Sequence, residues 1–187
     1  MRLFTGLALD AVPVRRIERI LATLRPSAQL KWSPLTNLHL TSAFIGAWPE
    51  ARLDELREAL SQVDAPGPIA ITVQGFGFFP NPHHPHSLFL SVKPDPGLTT
   101  LAHRIEDALS NLGCRREARA YTPHITLARI ARENITELRE QIASMNNQFP
   151  LETFAAEEFH LYESRSTGTG SVYGKLATFP LSKEVSE

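Results

Sequence analysis

The chain has 187 residues, 42% of them hydrophobic and 21% charged, which is enough apolar material for a real core in one domain or in two small lobes folded as one. Lys and Arg number 19 against 20 Asp and Glu, a net charge of −1 that excludes a protein coating nucleic acid through bulk positive charge and restricts such a partner to a local site. The lone Cys114 cannot form an internal disulfide, Cys-x-x-Cys spacing is absent, and no apolar run approaches the roughly 18 residues of a membrane span, so the expected compartment is the cytoplasm.

Residues 1–10 place a positive charge ahead of an apolar stretch, as a short signal peptide does, but Asp10 cuts the stretch short and a first strand is expected instead. Asp10 then caps a helix with Pro13 in its first turn and Val14, Ile17, Ile20, Leu21 and Leu24 on one face; Pro26 ends it. Residues 37–46 read as a strand closed by Gly46, followed by a helix carrying Leu53, Leu56, Leu60 and Val63, and by a strand over 69–79. The Pro/His segment 80–86 marks a boundary. The order then recurs: a strand at 86–92, a helix with Leu98, Leu101, Ile105, Leu109 and Leu112, a strand at 123–130, and a helix with Ile135, Leu138, Ile142 and Met145 in which Asn134 and Glu137 are spaced like a capping box. Two terminal strands are expected at about 151–162 and 171–181, separated by a turn-rich segment over 164–170.

A shift of 85 residues places Leu3 and Phe4 on Leu88 and Phe89, Ile20 on Ile105, His39 on His124, Thr41 on Thr126 and Leu53 on Leu138. Two copies are too few for a solenoid. The expected architecture is therefore α+β, with two pseudo-symmetric lobes formed by halves of about 1–80 and 86–182, each an antiparallel sheet backed by helices, meeting across a cleft.

Side chains two apart on a strand share a face, so His39 and Thr41 lie opposite Leu38 and Leu40, and His124 and Thr126 lie opposite Ile125 and Leu127. Seven His and 14 Thr in this length give about half a His-x-Thr triplet by chance, so two in register with an independent repeat carry weight. Two facing imidazoles suit in-line displacement at a phosphodiester, one removing a proton from the nucleophile and the other protonating the leaving oxygen, without a metal. Thr41 and Thr126 would donate hydrogen bonds to the non-bridging oxygens.

These residues resemble the 2H phosphoesterases, and among them the RNA 2′,3′-cyclic phosphodiesterases, also described as LigT-like or 2′-5′ RNA ligase-like. The resemblance runs from Arg2-Leu3-Phe4 through Asn37-Leu38-His39-Leu40-Thr41 and Thr122-Pro123-His124-Ile125-Thr126-Leu127-Ala128-Arg129 to Tyr173 and Phe179-Pro180-Leu181. It implies an active site between two sheets, His39 as proton donor to the 3′ oxygen, His124 as the base that activates water, a 2′-phosphate product, and Arg129 as a phosphate ligand. Ser42 stands where the family commonly has Leu, on the helix-facing side.

Phe44, Tyr121 and Tyr173 are candidates for stacking on a nucleobase, although strand alternation places Phe44 inward and favours core packing for it. Arg115, Arg116, Arg119, Arg129 and Arg132 form a local positive excess that could guide an RNA end, and Arg165 and Lys175 could reach the cleft. The His83, His84 and His86 cluster invites a metal reading but lacks a carboxylate or cysteine partner in its loop; His103 and His160 lack the partners that would make either a ligand or a nucleophile. The expected function is hydrolysis of 2′,3′-cyclic phosphate termini of RNA or nucleotides, with no cofactor, no metal, no membrane and no obligate protein partner, as a monomer by default. The alternatives are a 2′-5′ RNA phosphodiesterase or ligase, a nucleotide- or RNA-binding module without turnover, and a metal phosphohydrolase built on His83, His84 and His86. No P-loop supports ATP-driven ligation, and no Gly-x-Ser-x-Gly elbow supports a serine hydrolase.

Overall fold

The computed structural model describes residues 1–168 and 170–181; Thr169 of the turn-rich segment and Ser182 at the end of the second half lie outside them. Strand β1 (Arg2–Ala8) leads into helix α1 (Ala11–Leu24), which starts behind Asp10 and buries Pro13, Ile17, Ile20, Leu21 and Leu24 along one stripe. Asp10 caps through its extended backbone and not through its side chain; its carbonyl accepts from Val14 N–H at 3.1 Å. A two-residue β2 (Lys31–Trp32), β3 (His39–Ala47) and α2 (Leu53–Ser61) follow. Gly46 does not close β3 but lies inside it, at φ 82, beside a bulge.

The strand expected over 69–79 divides at Thr72 into β4 (Ile69–Ile71) and β5 (Val73–Phe79), and the one expected over 151–162 divides at Glu157 into β8 (Phe154–Ala156) and the start of β9 (Glu158–Thr167). Thr72 and Glu157 are themselves equivalent under the 85-residue shift. Between them lie β6 (Ser87–Val92), α3 (Pro96–Asn111), β7 (His124–Arg129) and α4 (Thr136–Ser144). The α4 start is held by Asn134, whose Oδ1 accepts from Thr136 N–H at 3.0 Å. β10 (Gly170–Pro180) pairs with β9 as far as Thr167, so most of the expected turn over 164–170 is paired strand.

One four-stranded antiparallel sheet has the order β10-β9-β1-β3 and the other β2-β7-β6-β5, with β4 and β8 forming a third, two-stranded ladder. The sheets therefore do not divide at residues 80–86. β5 and β6 are joined by a short connection and pair as a hairpin, which draws β5 into the sheet of the second half. β9, its equivalent under the shift, sits beside β1 in the sheet of the first half. Each repeat thus lends strands to the other: β2 and β5 lie in the sheet of the second half, and β9 and β10 in the sheet of the first.

The pseudo-twofold axis can be located. In the third ladder Ala70 pairs with Ala155, its own equivalent, while Ile69 pairs with Ala156 and Ile71 with Phe154. The axis passes through the Ala70–Ala155 pair. Helix packing obeys it: α1 meets α4 and α2 meets α3. One apolar cluster runs from Leu3, Leu7 and Leu40 to Leu90, Ile125 and Leu127, so both sheets pack on a continuous core. No helix among the described residues is long and apolar enough to cross a membrane.

Candidate active site

Strands β3 and β7 come together where the two sheets meet, and Tyr121, just ahead of β7, spans the junction by donating its hydroxyl to the Thr41 carbonyl at 3.0 Å. Burial pushes that hydroxyl's pKa up, so it stays a donor. His39 and Thr41 project half-buried from one side of β3, and Leu38 and Leu40 are buried on the other; His124 and Thr126 are likewise half-buried opposite Ile125 and Leu127.

Both imidazoles are oriented in the same way. His39 Nδ1–H donates to the Asn37 carbonyl at 2.6 Å, and His124 Nδ1–H donates to the Thr122 carbonyl at 2.7 Å. A carbonyl only accepts, so each Nδ1 carries a proton and each neutral ring has its lone pair on Nε2. His39 Nε2 meets Thr41 Oγ1 at 2.9 Å, whereas His124 Nε2 and the Thr126 hydroxyl bond to no other described residue. Burial is the main cause lowering the His39 pKa; the Asn37 carbonyl opposes it, and the nearby charge of His124 adds to the lowering. His124 is lowered by burial, against the pull of the Thr122 carbonyl, with the Arg129 charge contributing.

Aromatic rings back both histidines. Phe4 lies 4.8 Å from His39, with Tyr173 edge-on at 5.2 Å and Tyr162 at 5.9 Å. Phe89, the equivalent of Phe4, stands 5.4 Å from His124, with Phe79 edge-on at 4.8 Å. The carbonyl acceptors Asn37 and Thr122, and the rings Phe4, Phe79, Phe89 and Tyr162, are not among the sequence candidates. The repeat carried the signal for four of them, since Asn37 maps onto Thr122 and Phe4 onto Phe89.

Phe44 is 71% exposed and not in the core, which corrects the inward placement drawn from alternation. β1 residues Thr5 and Gly6 pair with Ala43 and Thr41, so Ser42 is an extra residue, and Phe44, opposite Phe4, returns to the face of His39 and Thr41. Ser42 Oγ meets Thr5 Oγ1 at 2.8 Å beneath the bulge, both residues being buried. β7 repeats the device. Leu88 and Phe89 pair with Ala128 and Thr126, Leu127 is extra, and Arg129, opposite Ser87, comes to the face of Thr126. Phe44 and Arg129 therefore hold equivalent places flanking the two motifs.

Of the remaining candidates, Tyr173 reaches His39, while Arg165 is committed to Glu163 at 2.6 Å. Lys175 pairs in register with Tyr162, and its charge is felt by His160. The arginine cluster disperses, Arg116 pairing with Asp107 and Arg132 lining a separate cavity. His160 is 1% exposed, its Nδ1 meets Thr178 Oγ1 at 2.9 Å, and its Nε2 lies 3.5 Å from Glu158, contacts that hold it within its sheet. Among the described residues no group of three or more His, Cys, Asp or Glu side chains is placed to hold a metal ion, His83, His84 and His86 included.

A strand-borne pair of His-x-Thr motifs in duplicated lobes defines a class, and comparison with known proteins gives it a family. The chain belongs to the 2′-5′ RNA ligase superfamily, whose sequence model matches residues 12–168. A protein of Archaeoglobus fulgidus named RNA 2′,3′-cyclic phosphodiesterase is 32% identical over 182 residues, covering 96% of this chain and 99% of the relative. One of the same name from Methanothermobacter thermautotrophicus is 28% identical over 97% of this chain and 99% of its own. The crystal structure of E. coli LigT complexed with 3′-AMP superposes with a TM-score of 0.79 at 26% identity, covering 97% of this chain and 98% of that one. The resemblance to the 2H phosphoesterases drawn from the motifs therefore holds.

Proposed function

We propose that this protein is an RNA 2′,3′-cyclic phosphodiesterase, hydrolysing cyclic phosphate termini of RNA or nucleotides to 2′-phosphate ends by a two-histidine mechanism without a metal. One observation carries the reading: both rings are fixed through Nδ1–H on the carbonyl two residues earlier, so both Nε2 atoms are the working nitrogens, and the rings are near enough for one charge to affect the other. His124 Nε2 takes a proton from water as its oxygen bonds to phosphorus. The P–O3′ bond breaks, and His39 Nε2–H delivers a proton to the departing 3′ oxygen, leaving the phosphate on the 2′ oxygen. Proton exchange with solvent then restores both rings.

Thr41 and Thr126 donate to the non-bridging oxygens, where removal of such a donor typically costs about 10²- to 10³-fold. Arg129 binds phosphate through its planar fork, and Phe44 and Tyr173 offer ring surface to the terminal base. Tyr121, a candidate for the same stacking role, serves better as a strut, because its hydroxyl is engaged at Thr41. The names of the relatives and of the superfamily support this assignment and keep a second reading in view, in which the same residues cleave or reverse-join 2′-5′ linkages. A protein that works on RNA ends and has a single cysteine is placed in the cytoplasm.

The deciding experiment is incubation with 2′,3′-cyclic AMP in excess chelator and identification of the isomer formed. The 2′-monophosphate is expected, with loss of turnover in both His39→Ala and His124→Ala. Formation of the 3′ isomer, a requirement for divalent metal, or robust turnover by either variant overturns the mechanism.

A further inference from the structure

Beyond the cleft, the segment 80–86 and the stretch between β7 and α4 enclose an open cavity of about 420 Å³. Its chemistry is one-sided. His83, His84 and His86 line it together with Arg132 and Arg139, and Glu133 is the sole acid among the lining residues. That carboxylate is turned back on its own backbone N–H and on Ala131 N–H, contacts that hold its pKa low. The Arg132 guanidinium is exposed and makes no hydrogen bond or ion pair with a described residue. In a chain of net charge −1 this is a local concentration of forked and ring N–H donors, suited to phosphates and base faces.

The cavity wall is braced. Asn81 Oδ1 accepts from the N–H groups of His83 and His84 at 3.0 and 2.9 Å, and Arg139 donates to the Pro82 carbonyl while lying 4.9 Å over the Phe78 ring. His86 N–H donates to the Phe79 carbonyl at 2.6 Å, and its own carbonyl accepts from Ile130 N–H at 2.9 Å. These bonds attach the cavity to the strand ends that carry Phe79, edge-on to His124, and Arg129, paired with Ser87.

We propose that this cavity binds the RNA chain upstream of the reacting end: the single-stranded backbone leaves the cleft past Arg129 and sets the next phosphates against Arg132, His83 and His84. The proposal rests on the cyclic phosphodiesterase reading and deepens it, since it makes an oligonucleotide a better substrate than a cyclic mononucleotide.

The test compares 2′,3′-cyclic AMP with a tetranucleotide ending in a 2′,3′-cyclic phosphate, using the wild type and the Arg132→Ala/His84→Ala double variant. In the wild type the tetranucleotide is expected to show a KM about tenfold lower, rising with salt as single-strand phosphate contacts do. The double variant is expected to lose that advantage while its kcat/KM for cyclic AMP stays unchanged. Equal use of the two substrates by the wild type, or equal loss of both in a variant with unchanged Tm, overturns the proposal. If the wild type turns over neither substrate, the catalytic reading fails separately. Fluorescence anisotropy of the labelled tetranucleotide then decides the groove: weaker binding by the double variant sustains it, and unchanged binding rejects it. A polyglutamate peptide bound at the same residues with equal affinity overturns the assignment to RNA.

Discussion

Around His39, Phe4 stacks on Tyr162 with centroids 5.0 Å apart and the Thr41 hydroxyl meets Nε2; around His124, the equivalent Phe89 lies over Gly77, the equivalent of Tyr162, and Nε2 bonds to no other described residue. A Cβ built on Gly77 would come within 2.2 Å of the Phe89 ring, so the smaller residue is what lets that ring settle. The bulges differ as well. One covers a hydrogen-bonded Thr5–Ser42 pair, where the other lobe has Leu90 and Leu127, both fully buried. Past the bulge one lobe shows an aromatic face, Phe44, and the other a cation, Arg129. The backbone duplication delivers two histidines in matching postures, and side-chain divergence leaves an aromatic ring on one flank and a guanidinium on the other, a base site and a phosphate site under the proposed function.

The comparison breaks most visibly at the histidines. His39→Ala and His124→Ala should each reduce kcat/KM by about 10²- to 10⁴-fold, but they should act on opposite limbs of a bell-shaped pH profile. A base must be unprotonated, so His124→Ala removes the acid limb; an acid must be protonated, so His39→Ala removes the alkaline one. Because burial lowers both rings, the wild-type maximum in kcat/KM is expected on the acid side of imidazole's usual value of about 6.5. A maximum above that value contradicts the assignment.

The flanks should separate next. Arg129→Ala is expected to weaken all cyclic nucleotides alike. Phe44→Ala should raise KM by the roughly 1–3 kcal/mol of a lost base stack, more for purines than for pyrimidines. A uniform effect of Phe44→Ala across bases would deny it contact with the base.

Smaller effects test the bulge and the strut. Thr5→Val leaves the buried Ser42 hydroxyl without its partner and should cost about 1–2 kcal/mol, seen as a fall in Tm. Adding Ser42→Ala should then cost less than it does alone, because the unpaired hydroxyl is gone; strict additivity would show the pair uncoupled. Tyr121→Phe removes one hydrogen bond across the sheet junction, worth about 1 kcal/mol, and should lower kcat more than it raises KM if Tyr121 positions Thr41. A KM effect alone would return Tyr121 to the substrate surface.

Much of this was legible in the sequence. Apolar spacing located the helices and most strands, and the 85-residue offset foretold two related antiparallel sheets with His39 and His124 at equivalent strand positions. Four things were not legible. Alternation cannot count an extra residue, so the bulge at Ser42 sent Phe44 to the wrong face. Thr72 and Glu157 look like ordinary strand positions, yet there the chain passes from the axial ladder into a larger sheet. The exchange of β5 and β9 is fixed by which neighbours the loops bring together, a tertiary preference that local composition does not encode. The hydrogen-bond partner of His160, Thr178, arrives from the adjoining strand 18 residues later, which local spacing does not reveal.

The ladder at Ala70 and Ala155 makes the two repeats interlocked and not merely adjacent. Severing the connection between β5 and β6 would yield two polypeptides, each lacking two strands of its own sheet and each holding two that complete the other's. Such fragments should be inert apart and regain turnover when mixed, as would a homodimer of a single ancestral repeat.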